Sequence, residues 1–151
     1  MLDLTIHGDL HGVRRGLDRV NSALAQMGFD ANLAGTVEIV LAEVMNNIVE
    51  HAYAGRGDGL ISLQMAAGDA GLNFTVTDRG HPLPKGTIRK VERDLENTPV
   101  ADLPEGGFGW QLIQNITEQL DYRRVEDTNQ LCFQVPVTAA QLGNSPVQQT
   151  G

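Results

Sequence analysis

Apolar and polar positions alternate from the first residues of the chain. Leu2, Leu4 and Ile6 are separated by Asp3, Thr5 and His7, the two-residue period of a strand with one buried face. The period then lengthens. Leu10, Val13, Leu17, Val20, Leu24 and Met27 recur at helical spacing, with Asp9 placed to cap the helix start and Gly28 to end it. His11, Arg14, Arg15 and Asp18 fall on the outer face of that helix, with Arg19 at its border. A second helix is predicted from Ala31 to Tyr53, with Val37, Val40, Leu41, Val44 and Ile48 as its core stripe.

Alternation returns in Leu60 to Ala66 and Leu72 to Thr77, and the link Ala67-Gly68-Asp69-Ala70-Gly71 makes these a hairpin. Leu72, Phe74 and Val76 share its inward face. From Leu83 to Glu105 the pattern weakens between Pro82, Pro84, Pro99 and Pro104, with one short helix predicted around Ile88, Val91 and Leu95. A long irregular insert in a compact domain is usually a lid, a binding loop or disorder. Gly106-Gly107-Phe108-Gly109 comes next and precedes a helix from Trp110 to about Leu120. Asp121 to Val125 and Gln130 to Val135 read as strands, with Glu126-Asp127-Thr128-Asn129 as the turn between them. The tail after Pro136 is rich in Ala, Gln, Gly and Ser and is expected to be disordered. Helices and hairpins in blocks point to an α+β fold. The expectation is a two-layer sandwich, a mixed, mostly antiparallel sheet covered on one face by helices.

Length and charge narrow the function. A chain of 151 residues suits one domain with a real core. A net charge of −8 argues against direct nucleic-acid binding, which calls for a basic face. The single cysteine, Cys132, excludes an intramolecular disulfide and a cysteine zinc cluster, and its place in a strand predicts a buried, inert thiol. No stretch of about 18 apolar residues is present to span a membrane, and no signal peptide is read at the N-terminus, so a cytoplasmic location is expected.

The candidate chemistry lies on the second helix and beyond it. Glu43, Asn47, Glu50 and His51 share a face away from the core stripe, where a carboxylate and an amide one turn apart can hold a hydrated hard cation. Glu50 is expected to face solvent. Asp78 closes a strand and can accept a hydrogen bond from an exocyclic amine, while Gly80 leaves room for a flat ring. The glycine run Gly106 to Gly109 lets backbone N–H groups approach an anion at a helix N-terminus, which suits a phosphate. No Walker-type phosphate loop and no dinucleotide-binding βαβ unit is present.

In order and spacing these elements resemble the GHKL superfamily of ATPases, the Bergerat fold. The first box is matched by Glu43, Asn47 and His51-Ala52-Tyr53, the second by Asp78-x-Gly80-x-Pro82, the last by Gly106-Gly107-Phe108-Gly109. The resemblance covers residues 1–136, with 83–105 as the ATP lid and 137–151 as a tail. Within the superfamily the chain looks most like the small bacterial anti-sigma-factor serine/threonine kinases. It reads as a lone ATPase domain without flanking dimerisation or transducer regions, and Tyr122-Arg123-Arg124 also fits that group.

The resemblance implies a Mg²⁺-ATP-dependent kinase that phosphorylates a serine of a STAS-type antagonist and otherwise holds a sigma factor, acting as a homodimer. It implies Asn47 as a Mg²⁺ ligand, Glu43 as general base and Asp78 as the partner of the adenine amine. Gly80 would shape the base pocket. Gly106, Gly107, Phe108 and Gly109 would lie against the phosphates, and His51 and Tyr53 would line the nucleotide pocket in a supporting role. Arg19 would lie on the partner-binding surface. Two features depart from the pattern. Trp110 stands where an aliphatic residue is usual and is expected to be packed, and no single phosphate-binding residue stands out among Arg79, Lys85, Arg89, Lys90 and Arg93. Two alternatives remain open: a nucleotide-gated binding regulator without phosphoryl transfer, and a detached histidine-kinase ATPase domain.

Overall fold

The computed structural model describes residues 1–84, 87 and 107–138. β1 (Leu2–His7) is followed by α1 (Leu10–Gln26) and α2 (Ala31–Asn47), and α2 runs into a π-helical turn over Ile48–Ala52. The hairpin β2 (Leu60–Ala67) and β3 (Gly71–Asp78) comes next, then α3 (Gly107–Ile116), and the hairpin β4 (Glu118–Val125) and β5 (Thr128–Pro136) closes the fold. The sheet order is β1-β2-β3-β5-β4, and each of these pairings is antiparallel. The helices cover one face, so the α+β two-layer expectation holds, with the sheet antiparallel throughout these five strands.

Alternation explains which face is covered. Leu4, Leu63, Val76 and Leu131 lie in register across neighbouring strands and are buried. The row beside it carries Met65, Phe74 and Phe133, and the two phenylalanine rings stack at 5.2 Å. Val37, Val40, Leu41, Val44 and Met45 of α2 and Ile113 of α3 close over them. The opposite face carries Thr5, Gln64, Asn73 and Thr75. Cys132 lies there too, half-buried and 3.8 Å from the Thr75 hydroxyl, rather than inside the core as expected. It falls out of step with the inward residues Leu131 and Phe133, so the pleat turns it outward.

Asp9 caps α1 as its sequence predicts, accepting from the Gly12 N–H at 2.7 Å. The buried stripe of α1 is Gly12, Val13, Gly16, Val20 and Leu24, whereas Leu10 is 69% exposed and Met27 is also exposed. Glycines account for the difference. A methyl group on Gly12 would collide with the His7 carbonyl, so α1 meets β1 through bare backbone at a position that a count of apolar residues overlooks.

The second helix also departs from expectation. Its α-helical part stops at Asn47, and the π turn carries the chain on to Ala52. At the end of the turn Tyr53 is buried, donating to the Leu60 carbonyl at 2.6 Å and accepting from the Arg79 N–H at 2.9 Å. Its ring fills the space left by Gly8 and Gly59. One side chain thus ties the end of the helix to the start of β2 and the exit of β3.

α3 includes Gly107 and ends at Ile116, earlier than Leu120. Thr117 caps it through the Ile113 carbonyl, and Gln119 takes a positive φ of 56° as the chain turns into β4. The short helix expected around Ile88, Val91 and Leu95 lies outside the described residues. So does most of the expected tail, although Val137 still packs against the core.

Tyr53→Phe leaves the Arg79 N–H and the Leu60 carbonyl without their partner. Urea unfolding is expected to show a loss of about 1–3 kcal/mol with an unchanged slope.

Candidate active site

The inner ends of β3 and β5 and the end of α2 converge on one cleft of ≈ 460 Å³, counted to its open mouth. Val44, Asn47, Ile48, His51 and Ala52 form one wall. Val76, Asp78, Asn129, Leu131 and Tyr122 form the floor, and Trp110 and the segment His81 to Pro84 complete it. The lining is mainly apolar with a few polar groups, the usual make-up of a small-molecule site.

Asp78 is the buried polar anchor, with 6% of its surface exposed. Its Oδ1 accepts from the Gly80 N–H at 2.8 Å and from Asn129 Nδ2 at 2.8 Å. Both bonds fall on one oxygen, which leaves Oδ2 for a further donor. Burial raises the carboxyl above its ordinary value of 3.8, opposed by the Asn129 and Gly80 hydrogen bonds and the Arg124 charge. Gly80 does not line the cleft. A side chain there would strike the Ala52 carbonyl, and His81 N–H donates to that same carbonyl at 2.7 Å. The glycine therefore admits the π turn, not a ring.

Asn47 lines the same cleft, with Glu43 one turn before it on α2. Asn47 Nδ2 donates to the Glu43 backbone carbonyl at 2.8 Å, which orients the amide and leaves its Oδ1 available. Gly109 comes against both side chains: a methyl group there would sit 2.7 Å from Glu43 Oε2 and 3.8 Å from Asn47 Nδ2. The start of α3 is thereby brought to the Glu43 carboxylate, and glycine makes the approach possible. Among the described residues no cluster of three His, Cys, Asp or Glu side chains could hold a metal ion. The donor set here, one amide oxygen beside one carboxylate, suits Mg²⁺ that keeps its waters and shares ligand phosphates.

The remaining expected residues divide. His51 lines the cleft, yet its side chain is mostly exposed and lies 3.9 Å from Glu50, which faces solvent as expected. Tyr53 does not line the cleft, because its hydroxyl is used between β2 and β3. Gly107 and Phe108 open α3, and Gly106 lies outside the described residues. Trp110 is buried, as expected, and also borders the cleft. Arg79 lines a separate groove with Tyr53, Arg56 and Thr5. Lys85, Arg89, Lys90 and Arg93 lie outside the described residues.

Asn129 was expected in a turn. It is instead a buried β5 residue directly opposite Asp78 in the ladder. Strand parity carries the signal: Asn129 is two residues before Leu131, in step with Phe133 and Val135, so the pleat turns it inward.

Because the Asp78 carboxyl titrates higher in the fold than in the unfolded chain, its linked stability is present at low pH. It is lost as pH rises from 3.8 through the raised value. Asp78→Asn can keep both existing hydrogen bonds without a buried charge. Its urea midpoint near neutral pH is expected to equal or exceed the wild type's, with less loss over that pH range.

A family model described as the histidine kinase-like ATPase domain matches residues 6–135. The chain is 25% identical over 105 residues to the serine-protein kinase RsbW of Halalkalibacterium halodurans, covering 69% of this chain and 64% of that protein. It is 28% identical over 94 residues to the blue-light-activated histidine kinase 2 of Erythrobacter litoralis, covering 61% of this chain and 27% of the other. The chain thus spans less than two thirds of the length of either relative. Among solved structures, its fold is similar to that of the RsbU and RsbW domains of a Mycobacterium tuberculosis protein. The TM-score is 0.58 at 15% identity, with 92% of this chain and 34% of that one covered. The family match runs from β1 into the end of β5 and takes in the described residues that line the cleft, and the chain belongs to the histidine kinase-like ATPase family, an assignment that implies ATP binding.

Proposed function

We propose that the protein is a cytoplasmic, homodimeric, Mg²⁺-ATP-dependent serine/threonine kinase of the anti-sigma type. Its substrate is a serine of a STAS-domain antagonist, and in its other state it holds a sigma factor. The observation that carries this reading is the meeting of Gly109 with Glu43 and Asn47, and the place of Asn47 on the same cleft as Asp78. The similarity to RsbW serine kinases supports it.

In this reading Asp78 Oδ2 accepts from the exocyclic amine of adenine while the ring lies among Ile48, Val76 and Leu131. The triphosphate runs toward the start of α3, where backbone N–H groups and the helix dipole favour negative charge. Asn47 supplies one oxygen to Mg²⁺, which when bound neutralises phosphate charge. Glu43 takes the proton from the attacking serine hydroxyl, a role that asks for a carboxylate within reach of the transferred phosphoryl group. The buried Trp110 and the apolar walls keep water from the base.

Glu43→Ala is expected to lower phosphoryl transfer to the STAS protein by about 100-fold or more while ATP still binds. A variant that transfers phosphate at the wild-type rate would remove Glu43 from the chemistry. Asn47→Ala is expected to abolish the gain in ATP affinity that Mg²⁺ gives the wild type, read by calorimetry with and without the ion.

The similarity to a histidine kinase favours a second reading, in which the domain phosphorylates a histidine on another chain. The phosphate bond separates the two. Phosphoserine survives acid and phosphohistidine does not, so an acid-labile product would replace the serine-kinase reading with this one.

A further inference from the structure

Behind Asp78 lies a chain of hydrogen bonds that the proposed chemistry does not use. Leu83 N–H donates to the Tyr122 hydroxyl at 2.9 Å, and that hydroxyl donates to Asn129 Oδ1 at 2.7 Å. Arg124 Nη1 donates to the same Oδ1 at 2.9 Å and to the Gly80 carbonyl at 2.7 Å. With its oxygen held by two donors, the Asn129 amide can face Asp78 only through nitrogen. Its Nδ2 then meets Asp78 Oδ1 at 2.8 Å, with the Gly80 and His81 carbonyls at 3.2 and 3.1 Å.

The direction of these bonds matters more than their number. The links from Leu83 to Tyr122, from Tyr122 and Arg124 to Asn129, and from Asn129 to Asp78 run donor to acceptor toward the carboxylate, beginning at a backbone N–H and a guanidinium. An amide turned the other way would set its oxygen against the Asp78 oxygen, and the carboxyl would need a proton to relieve the contact. A protonated Asp78 offers a donor to the cleft, whereas an ionised one offers an acceptor. An acceptor suits a base with an exocyclic amine. A donor suits a base with a carbonyl at that position.

We propose that Asn129, with its amide orientation fixed by Arg124 and Tyr122, is a positioning residue for base selection: it holds Asp78 as an acceptor and so directs the cleft toward amine-bearing purines. Asn129 lies on the cleft floor beside Asp78, whereas Arg124 does not line the cleft and acts only through Asn129 and Asp78. This inference rests on the proposed role of Asp78 at the adenine amine.

Inosine triphosphate tests it, because it carries a carbonyl where ATP carries the amine. Dissociation constants for ATP and inosine triphosphate are measured on the full chain for wild type, Asn129→Ala and Arg124→Met, with thermal melts as a fold control. The wild type is expected to prefer ATP by about tenfold or more, the worth of one hydrogen bond to a charged group. Both variants are expected to lower that ratio by about three-fold or more. A loss of packing alone would weaken both nucleotides equally and leave the ratio in place. A wild type without preference overturns the role of Asp78 and this inference with it. A wild type that prefers ATP, with the ratio unchanged in the variants, overturns this inference alone. If Asn129→Ala does not fold, Arg124→Met decides, since Arg124 is exposed and lies two hydrogen bonds from Asp78.

Discussion

A carboxylate buried between a sheet and its helices is costly unless its oxygens are met, and the arrangement around the cleft follows from meeting those of Asp78. It closes the inward row of β3 after Leu72, Phe74 and Val76, at a position where an apolar residue would simply pack. Gly80 N–H and Asn129 occupy one oxygen. To supply those donors the chain must turn tightly after β3, and β5 must carry an amide at the facing register position. That amide in turn requires donors of its own, which Tyr122 and Arg124 bring from β4. The closing hairpin is therefore part of the cleft as well as the edge of the sheet.

Close backbone approach sets the helical side of the site. Gly80 lets the segment after β3 lie against Ala52, and Gly109 lets α3 reach Glu43 and Asn47. Between them runs a helix that changes from α to π at Ile48. Tyr53 fixes where that turn ends by joining it to β2 and β3. The walls around the cleft are thereby held together by bare glycines, one tyrosine hydroxyl and a wider helical turn. π turns inside helices are frequent at functional sites.

Much of the fold is legible in the residues. Strand alternation in Leu2 to His7 and Leu72 to Thr77, and the Asp9 cap, are local signals that tertiary packing did not override. Where reading fails, the cause is specific. Gly12 and Gly16 are core positions without side-chain apolar atoms, so the apolar spacing points to Leu10 in their place. A π turn adds residues to a helical period without altering composition, so Ala31 to Tyr53 read as one continuous helix. Of the candidate site, Glu43, Asn47 and Gly109 are brought together, and Asn47 lines one cleft with Asp78. Tyr53 has the right position in sequence and the wrong direction in space, because its hydroxyl satisfies two backbone groups. Asn129 was missed because a polar residue near a hairpin reads as a turn, although its parity with Leu131 and Phe133 marks it as inward.

In the proposed function an adenine nucleotide lies in the cleft with its base at Asp78 and its phosphates at Asn47 and Gly109. Amide chemical-shift mapping with a non-hydrolysable ATP analogue and Mg²⁺ tests this most directly. The largest shifts are expected at Asn47, Gly80, Gly109 and Asn129, with Arg56 and Ser62, which line a separate groove, unmoved. Shifts concentrated at Arg56, Ser62 and Arg79, with the cleft silent, would contradict it.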